Sequence, residues 1–240
     1  MAQALAWHAH RHHMPCTAIV PERTAETKLE GIRRYGADIV QLPFEEVWKV
    51  ATDHVYPPLK DRVFAHPFSN AHMVAGNGTI GLEILEDLPD VESIIVPFGG
   101  GGLFAGIAIA VKSRKPQVRM YGCEPDTACA LAASLAAGFP QHVDRTPSFL
   151  EGTGESDVLP EMWDLVKPLA AGSLVISLGE VASAVRILFE RHRVVAEGSG
   201  ASSLAAALTG KAGRGPMVCV MSGGNIDPST LKKILDGGVP

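Results

Sequence analysis

The stretch Ser93-Ile94-Ile95-Val96-Pro97, followed by Gly99-Gly100-Gly101-Gly102 and Leu103, does most to restrict the fold. An apolar run of strand length meets four consecutive glycines, and residues 103–113 then carry a helical pattern. A strand that is apolar throughout must be covered on both faces, which is the situation of a strand inside a parallel sheet flanked by helices. The glycines add a second constraint. Without a Cβ the backbone can adopt positive φ and come close to a ligand. The helix that follows offers unpaired N–H groups and the positive end of its dipole. A loop of this kind suits an anion such as a phosphate. One or two glycines suffice for a plain turn; four in a row favour a ligand site.

Similar alternation runs along the chain. Residues 17–20, 38–42 and 63–66 are short apolar runs of strand length, and 25–35 and 44–54 between them have helical spacing. Helical 80–88, strand 93–97, helix 103–113 and strand 118–123 follow, and strand 217–221 and helix 229–235 close the series. This order predicts an α/β protein with parallel sheets. Two αβ sets are expected, residues 1–76 and residues 77–240, the second with the sharper glycine punctuation. Residues 138–159, rich in Pro, Gly, Ser and Thr, form the least regular stretch. Loops of that length in a folded domain are often functional.

A chain of 240 residues with 46% hydrophobic and 20% charged residues can bury a core, which argues against disorder. Twenty-one basic residues face 26 acidic ones, a net charge of -5, and no basic stripe is evident. No nucleic-acid partner is therefore expected. No apolar run approaches the roughly 18 residues of a membrane span. Residues 1–15, broken by four histidines and an arginine, do not read as an export signal, so a cytoplasmic location is expected. Cys16, Cys123, Cys129 and Cys219 form no CxxC pair and read as buried free thiols of a reducing compartment.

Other clusters admit several readings. Ser222-Gly223-Gly224-Asn225 follows the strand 217–221 and can aim a hydroxyl at a ligand above the sheet. It also fits an ordinary loop with Asn225 or Asp227 as a helix cap. Gly76-Asn77-Gly78-Thr79-Ile80-Gly81-Leu82-Glu83 reads as a helix start capped by Thr79. Gly100-Gly101-Gly102-Leu103-Phe104-Ala105 satisfies G-x-G-x-x-A, and Glu124 ends the next strand, where a dinucleotide-binding fold keeps an acid for a ribose hydroxyl. A nicotinamide enzyme is thus an open alternative. Gly200-Ala201-Ser202-Ser203 approaches G-x-S-x-G without its closing glycine, leaving Ser199, Ser202 and Ser222 as conceivable nucleophiles of a hydrolase or esterase. His8 and His12 are spaced i, i+4, which can hold Zn or Ni, but with His10 and His13 they read as an exposed polar helix face.

Taken together, these segments resemble the fold-type II pyridoxal-phosphate enzymes, in particular the threonine dehydratase and serine racemase group. The matching residues are His66-Pro67-Phe68, Ala75 to Glu83, Val96 to Leu103, Gly122-Cys123-Glu124-Pro125, Ala196-Glu197-Gly198-Ser199-Gly200-Ala201 and Ser222-Gly223-Gly224-Asn225. The resemblance covers essentially the whole chain and demotes the dinucleotide reading. It implies two three-layer αβα domains with parallel sheets, of the tryptophan synthase beta-like kind: a small domain at 1–76 and a large cofactor-binding domain at 77–240. It implies that Gly99, Gly100, Gly101, Gly102 and Leu103 cradle the phosphate of pyridoxal 5'-phosphate, that Ser222 meets the pyridine nitrogen, and that Glu197 sits near the ring edge. Glu124 is a divalent-cation ligand in the serine racemase-like members, although the Asp that accompanies it six residues later is Ala130 here. The implied reaction is β-elimination of serine or threonine to a 2-oxo acid and ammonia, by a homodimer or higher oligomer.

One family feature is not found. The Schiff-base lysine of a Ser-x-Lys-x-Arg motif precedes the segment that Met1 to Trp7 resemble, so the chain reads as N-terminally truncated. None of its nine lysines lies in such a motif. No catalytic residue is assigned, and impaired dehydratase activity or a non-catalytic, ligand-binding remnant is expected.

Overall fold

The computed structural model describes residues 1–240. Within Met1–Pro67, helix α1 (Ala2–Arg11) is followed by strand β1 (Thr17–Pro21), helix α2 (Glu26–Arg33), strand β2 (Asp38–Leu42) and helix α3 (Phe44–Asp53). The two strands pair in parallel, in register from Thr17 opposite Asp38 to Pro21 opposite Leu42. Alternation along β1 puts Ala18 and Val20 on one face, where they pack with Ala6, Leu29, Ile32 and Ala37. The expected strand at 63–66 does not form, and Val63 is 98% exposed. Side-chain anchoring replaces sheet pairing there: His66 is buried, its Nε2 lies 3.0 Å from the Ala51 carbonyl, and its ring stacks on His54.

Phe68–Pro240 is a second unit. It begins with helix α4 (Ala71–Asp87) and strand β3 (Ser93–Pro97), then helix α5 (Gly102–Lys112), strand β4 (Arg119–Pro125) and helices α6 (Ala130–Ala137) and α7 (Pro160–Val166). Strand β5 (Ala170–Ile176), helices α8 (Leu178–Ile187) and α9 (Gly198–Leu208), strand β6 (Met217–Cys219) and helix α10 (Pro228–Leu235) complete it. The strands form one parallel sheet in the order β5-β4-β3-β6. All five residues of β3 are buried, as expected for a strand covered twice. Ile95, Cys123, Leu174 and Ile176 face a cluster from α8, α9 and α10. Gly122, on the other pleat of β4, lies against Leu131 of α6. Residues 138–159 carry neither helix nor strand.

Thr79 does not start a helix. Asn70 does: its side chain accepts hydrogen bonds from the His72 and Met73 N–H groups. The glycines expected before the helix lie inside it, and the expected division after residue 76 falls within α4. Gly78 and Gly81 serve close packing: a Cβ on Gly81 would stand 2.8 Å from the Ile107 carbonyl oxygen of α5, and, from the other side, one on Gly106 would collide with the Val74 carbonyl of α4. Tertiary contact here overrides the poor helix propensity of glycine. All four cysteines are free, but only Cys123 is buried; Cys16, Cys129 and Cys219 are partly exposed. No helix is long and apolar enough to cross a membrane.

Candidate functional site

Every strand of the second sheet runs the same way, so the turns after β3, β4, β5 and β6 open on one edge. The turn after β3 holds the tetraglycine. Phe98 anchors it, being buried and donating its N–H to the Cys123 carbonyl at 2.9 Å. Gly101, with φ of 88°, turns the chain into α5, a conformation that costs an L-residue roughly 1–2 kcal/mol. Phe68 lies directly on the loop: a Cβ on Gly100 would collide with its ring, and one on Gly102 would come within 2.5 Å of its carbonyl oxygen. No side chain caps α5, so the N–H groups of its first turn have no acceptor from a capping residue. Gly101 and Gly102 are buried. Donors in this position call for an acceptor from outside the chain.

The turn after β6 forms a neighbouring wall. Val220 donates its N–H to Ile95 of β3 at 3.0 Å, which keeps β6 aligned with the cradle strand. Beyond it, Gly223 bends onto the start of α9 and accepts a hydrogen bond from the Glu197 N–H at 3.0 Å. A Cβ on Gly223 would collide with the Glu197 carboxylate, and one on Gly200 would collide with the Gly223 carbonyl. The tertiary structure therefore brings Ser222, exposed, and Glu197, partly buried, together at the same edge as Gly99 to Leu103.

Glu124 ends β4 at this edge but points its oxygens elsewhere. Only 1% exposed, it accepts the Leu131 and Ala132 N–H groups at 2.8 and 2.9 Å and the Ser173 hydroxyl at 2.6 Å. Burial raises its pKa, and these donors oppose the rise. The carboxylate thus caps the first turn of α6. No group of three His, Cys, Asp or Glu residues could hold a metal ion.

Sequence reasoning named Phe68 and Ser199 in other connections and missed Gly152; none of the three was placed at the cradle. Phe68 roofs the glycines. Gly152 sits on Gly99, whose added Cβ would stand 2.6 Å from the Gly152 carbonyl oxygen. Ser199 accepts the Gly152 N–H at 2.9 Å. The available signal was Gly152-Thr153-Gly154 inside the long loop 138–159. Several lysines have partners of their own. Lys112 reaches the Pro116 carbonyl at the far end of α5, Lys167 the Gly138 carbonyl, Lys49 Asp53 and Lys232 Asp236. His8 and His12 are exposed, their rings 5.2 Å apart.

The profile described as "Pyridoxal-phosphate dependent enzyme" matches residues 1–223. The chain belongs to this family. Among the relatives of this pyridoxal-phosphate family member are the L-threonine ammonia-lyase of Thermotoga maritima, 36% identical over 241 residues, and the catabolic L-threonine dehydratase of Escherichia coli K12, 34% identical over 220 residues. These alignments cover 99% and 90% of this chain but 60% and 67% of the relatives. Maize serine racemase shares the fold with a TM-score of 0.82 at 30% identity, over 97% of this chain and 72% of that one. The threonine dehydratase and serine racemase group is thus the right branch, and the α/β fold with parallel sheets is its fold. Pyridoxal phosphate is the family's cofactor, and the cradle fits its phosphate: close-packed glycines, an uncapped helix start and buried donors.

Proposed function

We propose that this chain binds pyridoxal 5'-phosphate on the second unit and belongs to an enzyme that removes water and ammonia from a β-hydroxy amino acid, serine or threonine. The observation that carries the reading is the uncapped start of α5 behind four glycines, with Ser222 and Glu197 at the same sheet edge. When bound, the cofactor supplies an electron sink for the bond broken at the substrate α-carbon. The N–H groups of Gly99 to Leu103 bind the phosphate and fix the ring's position. Ser222 donates its hydroxyl to the pyridine nitrogen; a neutral donor leaves that nitrogen uncharged and tempers electron withdrawal. Glu197 lines the ring edge. Overall, the substrate loses its α-proton and β-hydroxyl as water, and hydrolysis then releases ammonia and a 2-oxo acid.

None of the nine lysines is assigned as the cofactor's anchor. The test is a titration with pyridoxal phosphate followed by absorbance and fluorescence, with 2-oxobutanoate measured alongside. We expect saturable binding that survives dialysis poorly and is weakened at least tenfold by Gly100→Ala. Absence of binding overturns the cofactor assignment, and 2-oxobutanoate release from L-threonine supports the dehydratase reading.

A further inference from the structure

The loop at residues 149–154 lies on the cradle, and Ser199 ties it down where it meets the glycines. Its backbone at Gly152 and Thr153 packs on Gly99, the first of the four glycines, closely enough to exclude a methyl group. The Gly152 N–H donates to Ser199 Oγ at 2.9 Å, and Thr153 Oγ1 is 3.3 Å from the same oxygen. Ser199 is 4% exposed and Thr153 is 3% exposed, while Gly152 itself is exposed. Ser199 itself is fixed from below. Its carbonyl accepts the Ser202 hydroxyl at 2.7 Å, and Ser202 Oγ is 3.3 Å from Cys123 Sγ on β4. A buried polar chain therefore runs from the sheet through α9 and the loop to the phosphate-binding glycine.

We propose that Ser199 is a positioning residue for the cofactor phosphate: by holding Gly152 in place it fixes the backbone of Gly99 and thereby the direction of the cradle's N–H groups. This rests on the cofactor reading above and deepens it. Ser199 acts through the loop and the cradle, so its effect is specific to ligands that carry a phosphate. Without its hydroxyl, the Gly152 N–H loses the acceptor that ties it to α9, and the exposed Gly152 backbone is free to move off Gly99.

The experiment compares binding of pyridoxal phosphate and of pyridoxal, which lacks the phosphate, to wild type, Ser199→Ala and Thr153→Val. Ser199→Ala is expected to weaken pyridoxal phosphate about tenfold, the effect of losing one hydrogen bond at the upper end of the usual range, and to leave pyridoxal within about twofold. Thr153→Val, which leaves the Gly152–Ser199 bond intact, stays within about threefold of wild type for both. Should Ser199→Ala not fold, Ser199→Cys, which keeps the volume but accepts poorly, is expected to show the same preference. Equal weakening of both ligands, or no weakening in the serine variants, overturns the positioning role while leaving the cofactor site standing. Wild type that binds neither ligand overturns the cofactor reading and this inference with it.

Discussion

Glu155 shows how a single residue departs from its ordinary chemistry. One carboxylate oxygen is buried with no hydrogen-bond partner, and burial pushes the pKa up to about 7 despite the opposing pull of Arg145. A raised carboxylate pKa means that the folded chain holds a proton which the unfolded chain releases near pH 4.5. Its contribution to stability is therefore full below that value and is lost as pH rises to about 7. Glu155→Gln removes the titration. Urea unfolding at about pH 8 should find the variant more stable by about 1–3 kcal/mol, with the gap closing near pH 4.5. An equal gap at both pH values would contradict this origin. Glu124, more deeply buried, is also raised by its burial, although its three donors oppose the rise.

Helices α4 and α5 show the same dependence on context at the next scale. Gly76 and Gly106 are both helical glycines, and intrinsic propensity treats them alike. Their surroundings do not. A Cβ on Gly76 meets nothing within 4 Å, whereas one on Gly106 meets the Val74 carbonyl and lies 2.7 Å from the Asn77 Cβ. Gly76→Ala should therefore stabilise the protein by about 0.5–1 kcal/mol, by reducing the entropy lost on folding. Gly106→Ala should destabilise it by about 1–3 kcal/mol, by forcing the helices apart. Thermal unfolding of the two variants reads the difference, and a shared sign would refute the helix-contact explanation. This is also why residues 76–83 were legible only as a helix start: the sequence pattern carries propensity, and the partner helix that overrules it lies further along the chain, at Gly102–Lys112.

Across the whole molecule, the cofactor reading predicts where a ligand leaves its mark. Hydrogen exchange with and without pyridoxal phosphate should show protection centred on residues 98–103, 149–154, 197–200 and 222–225, the four segments that meet at one sheet edge. Protection confined to the opposite edge, around Lys115 and Arg214, would exclude the cradle as the site. Much of this arrangement could be read along the chain. The apolar run Ser93–Pro97 required cover on both faces, and the glycines beside a helix start required a close approach, because both demands arise within a short stretch of neighbouring residues. The placing of Ser222 and Glu197 at one sheet edge could be expected through family resemblance alone. What only the tertiary structure decided were the long-range choices: that residues 63–66 are held by His66 and not by a sheet edge, that Glu124 caps α6, and that Phe68, Gly152 and Ser199 close on the cradle. Local pattern specifies which backbone groups need partners. Which partners they find depends on segments brought together by packing from distant positions, and no period or spacing in the sequence encodes that meeting.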